Sequence, residues 1–214
     1  MLLYRVFLYL EGGNISEPGG ALYMPPQGSG RADNPDHYSV VYAGDSEAGV
    51  MAEVFGRFPE WGQSMLNGSP SLPGSHRALA KFSFPVETAI CNLDDPAQLI
   101  ELALHPSQVV TREYLTSQHW ALAIFERQRW NGVKWWSHYD PRWFSYALWD
   151  HTDVAPSSIR PIHLDDVALA EAAEVLTRRI VSPVRKKPRA VYLDSDTAPL
   201  PQVSRYRLDR LGTA

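Results

Sequence analysis

The sequence predicts an α+β protein: a mixed α/β domain followed by a C-terminal extension. Short apolar runs rich in β-branched and aromatic residues, typical of buried strands, alternate with segments whose apolar residues recur at helical spacing. Of the 214 residues, 44% are hydrophobic and 21% are charged, as in an ordinary globular protein. A chain of this length buries roughly 70% of its extended surface, so it can form a core without covalent staples.

The N-terminal part of the chain combines strand signals with a long loop. Its loop is rich in Gly and Pro, and a loop of that length inside a compact domain is usually functional. A polar residue before an apolar periodic run indicates a helix cap. The predicted elements are a strand at 2–10, the loop at 11–37, a strand at 38–43, and a helix from Asp45 or Ser46 to about Phe58.

The middle of the chain continues this alternation. A short helix opens at Asp95-Pro96, and a longer one runs from about Thr111 to Trp130. We expect Gly132 to end the longer helix, because glycine readily adopts the left-handed conformation that closes helices. The predicted strands are 79–84, 88–93, 133–137 and 144–149.

The domain organisation follows from a change of composition late in the chain. We predict one mixed α/β domain over 2–154 and an extension over 155–214. The extension contains a helix at about 166–181, whose acidic start and basic end suit the helix dipole. A basic tail punctuated by prolines follows Pro183. Its apolar runs indicate docking against the domain or a second subunit, so a homo-oligomer is one expectation, and a solvated tail is the alternative.

Charge and targeting signals restrict the class of protein. The net charge of −4 gives no basic field for nucleic acid, so no direct nucleic-acid partner is expected. Cys91 is the only cysteine, which excludes an internal disulfide and suits a reducing compartment. We expect its thiol to be buried in a strand. No signal peptide or membrane span is recognisable, so we expect a cytoplasmic protein without a membrane partner.

Several widespread catalytic motifs are absent from the sequence. No His-Glu-x-x-His motif is present, and one cysteine cannot build a cysteine-rich metal site, so no metal is expected. The chain also lacks a Walker A lysine motif and the Gly-x-Ser-x-Gly turn of acyl-transfer serines. The chemistry must therefore come from a less common set of residues.

An Arg, a Tyr and a Glu follow one another at equal spacing across a loop, a strand and a helix. Arg31 and Tyr42 are eleven residues apart, as are Tyr42 and Glu53. Helical geometry places Glu53 off the apolar stripe of its helix, with Gly49 and Gly56 beside it. Glycine is unfavourable inside a helix, so this pair indicates that a ligand or another backbone approaches closely. A solvated surface Glu beside packing glycines is the alternative.

These residues belong to a series of short motifs that resembles the RES domain, named for an Arg, a Glu and a Ser. RES domains occur in toxins of bacterial toxin–antitoxin pairs. Ala32 stands where the family usually has Trp, and the resemblance covers about residues 2–150. The matching motifs are Tyr4-Arg5, Gly30-Arg31-Ala32-Asp33-Asn34, Tyr42-Ala43, Ala52-Glu53-Val54 and Asn131-Gly132-Val133-Lys134-Trp135-Trp136-Ser137.

The resemblance implies the fold of ADP-ribosylating toxins and an activity that consumes NAD⁺. Glu53 would then stabilise the ribosyl cation formed when the nicotinamide–ribose bond breaks. Tyr42 would stack on the cationic nicotinamide ring, with Trp136 or Tyr139 as a second aromatic wall.

The same resemblance assigns the polar contacts of NAD⁺. Arg31 and Arg5 would bind its pyrophosphate, since Arg donates in pairs to phosphate oxygens. The alternative for Arg5 is an interior Arg paired with a carboxylate. Ser137 would position the nicotinamide ribose or amide. We do not expect it to act as a nucleophile, because no His–Asp pair accompanies it in the sequence.

Three functional hypotheses remain open at this point. The first is a toxin that cleaves NAD⁺ by hydrolysis or phosphorolysis, with phosphate as a possible second substrate. The second is an ADP-ribosyltransferase that modifies a protein through the same site. The third, an interaction module without catalysis, fits the Arg–Tyr–Glu–Ser set least well. The resemblance also implies a helical, Xre-like antitoxin as the cognate partner.

Overall fold

The computed structural model describes residues 1–25, 27–85, 89–149 and 156–181. It is a mixed α/β structure, as predicted. The strands are β1 Leu2–Tyr9, β2 Val40–Gly44, β3 Glu60–Gly62, β4 His76–Ser83, β5 Ile90–Asn92, β6 Gly132–Trp136, β7 Phe144–Trp149, β8 Pro156–Pro161 and β9 Arg179–Val181. The helices are α1 Glu47–Phe55, α2 Gln63–Leu66, α3 Pro96–Glu101, α4 Pro106–Val109, α5 Tyr114–Glu126 and α6 Val167–Val175.

Seven strands form one sheet in the order β5-β6-β7-β2-β1-β4-β8, with only β5 and β6 paired in parallel. Alternate residues of a strand face opposite sides of a sheet. Leu3 and Phe7 of β1 accordingly lie in one apolar cluster, whereas Val6 lies in another beneath α1 and α6. A third cluster packs under α5. Cys91, on the edge strand β5, is buried as predicted, and burial raises the pKa of its thiol to about 12.

Strand β1 pairs very differently with its two neighbours. It pairs with β4 along its whole length, from Leu2 opposite Ser83 to Tyr9 opposite His76. With β2 it is in register at a single pair, Tyr4 opposite Gly44. The sheet therefore opens between β1 and β2 beyond that pair.

Helix α1 follows the predicted pattern closely. Ser46 is its N-cap, and the Ser46 hydroxyl accepts a hydrogen bond from the backbone N–H of Gly49 at 3.2 Å. The predicted stripe of Ala48, Met51, Ala52 and Phe55 is buried, and Glu53 is exposed. The helix ends at Phe55, earlier than the predicted residue 58.

Helix α5 is shorter than predicted, and a different residue ends it. It spans Tyr114–Glu126, and Gln128 just beyond it has a φ of 53°. Gly132 is instead the first residue of β6. A Cβ added at Gly132 would lie 2.5 Å from the carbonyl oxygen of Ala147 on β7. The glycine thus allows two strands to approach, and the prediction that it closes the helix is wrong.

Residues 156–181 belong to the same compact unit as the residues before them, so in the structure the fold continues past the boundary predicted at residue 155. Strand β8 pairs with β4, β9 pairs with β3, and α6 packs against α1. Helix α6 ends at Val175, and Thr177 then turns the chain with a φ of 51°. The predicted basic tail after Pro183 lies outside the described residues.

Arg160 links this C-terminal part to helix α1. Its guanidinium donates to Glu47, in the first turn of α1, at 2.6 Å, and also to Asp166 before α6. Among the helices of the described residues, none combines the length and apolar character needed to cross a membrane. The same residues contain no cluster of three or more His, Cys, Asp or Glu side chains able to hold a metal ion.

Candidate functional site

A cleft of about 390 Å³ lies where β1 and β2 separate. The residues directly beyond the Tyr4–Gly44 pair line it: Arg5 and Val6 on β1, and Tyr42 and Ala43 on β2. The cleft therefore results directly from the opening of the sheet. Its other walls come from α1, the end of β6, and the start of α5. The remaining lining residues are Gly30, Arg31, Gly44, Gly49, Val50, Glu53, Val54, Val110, Tyr114, Trp135, Ser137, His138, Trp143, Phe144 and Ser145.

Glu53 and Ser137 meet across this cleft. The buried Ser137 hydroxyl donates to Oε1 of Glu53 at 2.6 Å and accepts from the backbone N–H of Tyr139 at 3.1 Å. The backbone N–H of Ser137 donates to the carbonyl of Trp143 at 2.7 Å, which holds the turn after β6. The proton of the Ser137 hydroxyl is thus directed at Glu53. This hydrogen bond orients the carboxylate of Glu53, which lines the cleft.

The two glycines beside Glu53 accommodate aromatic rings. A Cβ at Gly49 would lie 3.0 Å from the side chain of Trp143, and one at Gly56 would lie 2.6 Å from the ring of Tyr139. The sequence predicted a ligand or another backbone here, and the structure places aromatic side chains beside both glycines; at Gly56 a Cβ would also lie 2.5 Å from the carbonyl oxygen of Ala52 in helix α1. Both rings come from the turn after β6. The absence of side chains at the two glycines therefore allows α1 to lie close to this turn and to Ser137.

Arg5 is held by main-chain oxygens. Its two terminal nitrogens donate to the carbonyls of Ala21 and Tyr23 at 2.8 and 2.9 Å. Burial lowers the pKa of the Arg5 guanidinium to about 10, so it still carries its charge at neutral pH. No carboxylate forms an ion pair with it among the described residues, which excludes a carboxylate pairing there.

Arg31 reaches the cleft from the Gly-rich loop. One of its terminal nitrogens donates to the carbonyl of Val109 at 2.6 Å, and its guanidinium carbon lies 5.9 Å from the centre of the Tyr114 ring. Burial lowers the pKa of Arg31, while the nearby Tyr114 and Glu53 act in the opposite direction. As for Arg5, no ion pair involves it within the part of the chain that the structure describes.

The Tyr42 hydroxyl is fully engaged with the loop that carries Arg31. It donates to Oδ1 of Asp33 at 2.7 Å and accepts from the backbone N–H of Ala32 at 2.8 Å. Burial raises the pKa of Tyr42, and the hydrogen bond to the Asp33 carboxylate raises it further. Because the proton of the Tyr42 hydroxyl is directed at Asp33, this hydroxyl does not donate to a ligand in the cleft.

The two predicted second aromatic walls lie outside the lining of the cleft. Trp136 is on the opposite face of β6 from Ser137, and Trp135 lines the cleft instead. Tyr139 packs behind Glu53 against α1, where burial and then the negative charge of Glu53 raise its pKa. The structure thus brings together Arg5, Arg31, Tyr42, Glu53 and Ser137, and places Trp136 and Tyr139 at the periphery.

Several cleft residues were not identified from the sequence. Tyr114 at the start of α5 is 48% exposed and lies beside Arg31 at the cleft. Trp143 and His138 come from the turn after β6. The parity of β6 would have selected Trp135 over Trp136, because side chains two residues apart share a face and Ser137 was already selected. The sequence carries no comparable signal for Tyr114.

Comparisons with known proteins identify the family of this chain. A family model described as the RES domain matches residues 3–192. A search of curated proteins finds no match. Among solved structures, the chain is similar to one in the crystal structure of the Mycobacterium tuberculosis MbcT–MbcA toxin–antitoxin complex, at 14% identity and a TM-score of 0.52. That alignment covers 82% of this chain and 88% of the other. The protein belongs to the RES domain family.

Proposed function

We propose that this protein is the toxin of a toxin–antitoxin pair and that it cleaves the nicotinamide–ribose bond of NAD⁺. The observation that carries the proposal is the hydrogen bond between Ser137 and Glu53 in a cleft that also exposes two cations, Arg5 and Arg31. A fixed carboxylate beside positive groups matches a substrate that joins a ribose to a pyrophosphate. The cleft volume lies within the range of ligand pockets.

Glu53 is the group proposed to act on the reacting sugar. As the bond to nicotinamide breaks, its electron pair stays with the nicotinamide ring and positive charge develops on the ribose. A carboxylate stabilises such an oxocarbenium-like charge, as in glycoside cleavage. With Oε1 held by Ser137, the second oxygen remains available for a ribose hydroxyl.

The acceptor completes the reaction by forming a bond to the anomeric carbon of the ribose. Water would give ADP-ribose and release a proton, and inorganic phosphate would give the ribosyl phosphate. A protein side chain would give an ADP-ribosylated product. Glu53 would have the same role with each of these acceptors, so the products of the reaction identify the acceptor.

The rest of the cleft supports binding of the substrate. Arg5 and Arg31 are both charged and both anchored through backbone carbonyls, which leaves other donors available for phosphate oxygens. The Tyr42 ring offers a face for the nicotinamide, an attraction of about 0.5–2 kcal/mol for a cationic ring. Trp135 replaces Trp136 as the proposed second wall, since it lines the cleft.

Membership of the RES family and the fold shared with a chain of a toxin–antitoxin complex support the proposed biological role. We propose a helical antitoxin of Xre-like type as the partner, which would neutralise the toxin by covering the cleft. Expression of the chain alone in bacteria should then stop growth while cellular NAD⁺ falls. An unchanged NAD⁺ level during growth arrest would favour modification of a protein target instead.

The direct test is incubation of the purified protein with labelled NAD⁺, with and without phosphate. Free nicotinamide without labelled protein supports cleavage, and a ribosyl phosphate formed only with phosphate identifies phosphorolysis. Labelled protein identifies a transferase, and no turnover contradicts the proposal. Glu174→Gln, an exposed carboxylate on α6, is the matched control for Glu53→Gln because it removes the same charge away from the cleft.

A further inference from the structure

Asp33 is a buried carboxylate that no step of the proposed reaction uses. Only 5% of its surface is exposed, although it lies two residues from Arg31 in a loop. An ionised carboxylate is buried only where several donors compensate for the lost hydration. The contacts of this group therefore indicate what holds the loop.

Three donors converge on Asp33. Its Oδ2 accepts from the backbone N–H groups of Gly28 and Gly30 at 2.8 and 2.7 Å, and its Oδ1 accepts from the Tyr42 hydroxyl. A Cβ at Gly30 would lie 2.5 Å from the Tyr42 hydroxyl and 2.6 Å from Oδ1 of Asp33. Glycine at this position is therefore part of the same arrangement.

The outer side of the loop is fixed by helix α5. The side-chain amide of Gln118 donates to the carbonyls of Gly28 and Gly30 at 3.1 and 2.9 Å. The loop is thus held by Asp33 through its N–H groups and by Gln118 through its carbonyls. Arg31 lies between these contacts and extends towards Val109 and the cleft.

We propose that Asp33 is a positioning residue for the cleft: it fixes the loop so that Arg31 reaches the phosphates of the ligand, and it holds the Tyr42 hydroxyl so that only the ring faces the ligand. The inference rests on the proposed function for the identity of the ligand. It assigns a role to a side chain that itself touches neither the substrate nor the reacting atoms.

The test compares Asp33→Asn with Asp36→Asn by calorimetric titration with ADP-ribose, which contains the pyrophosphate but no nicotinamide. Asp36 is exposed in the same loop, so its variant removes the same charge without touching the network. We expect the Kd for ADP-ribose to rise about tenfold or more in Asp33→Asn, as for loss of a charged hydrogen bond, and to stay within about twofold in Asp36→Asn. A purely structural role would lower the Tm but leave the affinity of the folded protein unchanged, and that result would overturn the inference.

Amide hydrogen exchange of Gly28 and Gly30 provides a readout that does not depend on the ligand. Both amides should exchange faster in Asp33→Asn than in Asp36→Asn, and equal rates would overturn the inference even if the wild type cleaves NAD⁺. If the wild type does not bind ADP-ribose, the proposed function fails while exchange still tests the network. Should Asp33→Asn not fold, Tyr42→Phe replaces it: the ring remains, and unchanged ADP-ribose binding and amide exchange would contradict the inference.

Discussion

The two sides of strand β1 differ in how the sheet is completed. Towards β4, all eight residues are paired, and the buried side chains of Leu3 and Phe82 lie at opposite positions. Towards β2, pairing is limited to Tyr4 and Gly44, and the strands then separate around the cleft. One strand thus builds the core on one side and the candidate site on the other.

On the open side, the long Gly- and Pro-rich loop forms hydrogen bonds with backbone groups of β2 that β1 leaves unpaired. The side-chain amide of Gln27 donates to the carbonyl of Val40 at 2.6 Å and accepts from its N–H at 3.0 Å, the two bonds that a strand partner would make. Arg5, on the open side of β1, binds the same loop through the carbonyls of Ala21 and Tyr23. The comparison teaches that opening a sheet requires side chains to satisfy the released backbone groups.

The largest effect on the free energy of unfolding is expected for a substitution between β1 and β4, where β1 is fully paired. Phe82→Ala removes a ring that is 1% exposed opposite Leu3, and we expect it to lower the free energy of unfolding by about 3–5 kcal/mol. Urea denaturation measures this loss. The folded fraction should bind ADP-ribose normally. A changed affinity would show that the two sides of β1 are coupled.

Glu53→Gln, on the open side, should reduce catalysis and leave the stability of the protein unchanged. The side chain is exposed, so the Tm should stay close to that of the wild type, while NAD⁺ cleavage falls about 100- to 1,000-fold because the carboxylate charge is lost. Nicotinamide release and a thermal melt together test this. Cleavage at the wild-type rate in a folded variant would remove Glu53 from the mechanism.

Ser137→Ala should act on both catalysis and stability. It frees Oε1 of Glu53 and leaves the N–H of Tyr139 without this acceptor, which should cost about 1–3 kcal/mol. We expect kcat to fall about tenfold while KM changes little, as for an interaction that orients a catalytic group. Ser158→Ala, exposed on β8 at the edge beyond β4, is the control and should behave as wild type.

The smallest effect is expected for Gln27→Ala. It removes both hydrogen bonds to Val40, and water entering the open edge can replace part of them, so we expect a loss of about 1 kcal/mol in the free energy of unfolding. Hydrogen exchange at the Val40 amide should accelerate. An unchanged exchange rate at the Val40 amide would show that the loop does not protect the open edge of β2.

Local signals predicted much of this architecture. The bounds of β7 at 144–149, the Ser46 cap and the position of Glu53 off the apolar stripe of α1 all follow from patterns within a few residues. Of the seven site residues that the family resemblance implied, five line one cleft. Their roles in NAD⁺ cleavage stay predictions.

The features that escaped prediction depend on distant partners. Strand β8 is bounded by two prolines and is largely exposed, and its place in the sheet comes from β4, far away in sequence. The role of Asp33 depends on a hydrogen bond from Tyr42, which lies on β2. Such contacts are properties of the assembled sheet and loop rather than of a local pattern.

The contact between Arg160 and Glu47 also bears on synthesis of the chain. Helix α1, which carries Glu53, leaves the ribosome long before β8 and α6, yet Arg160 binds its first turn and α6 contributes to the apolar cluster that buries its inner face. Domains fold as units during translation. A nascent chain therefore completes the packing around helix α1 only after residues 156–181 have emerged from the ribosome.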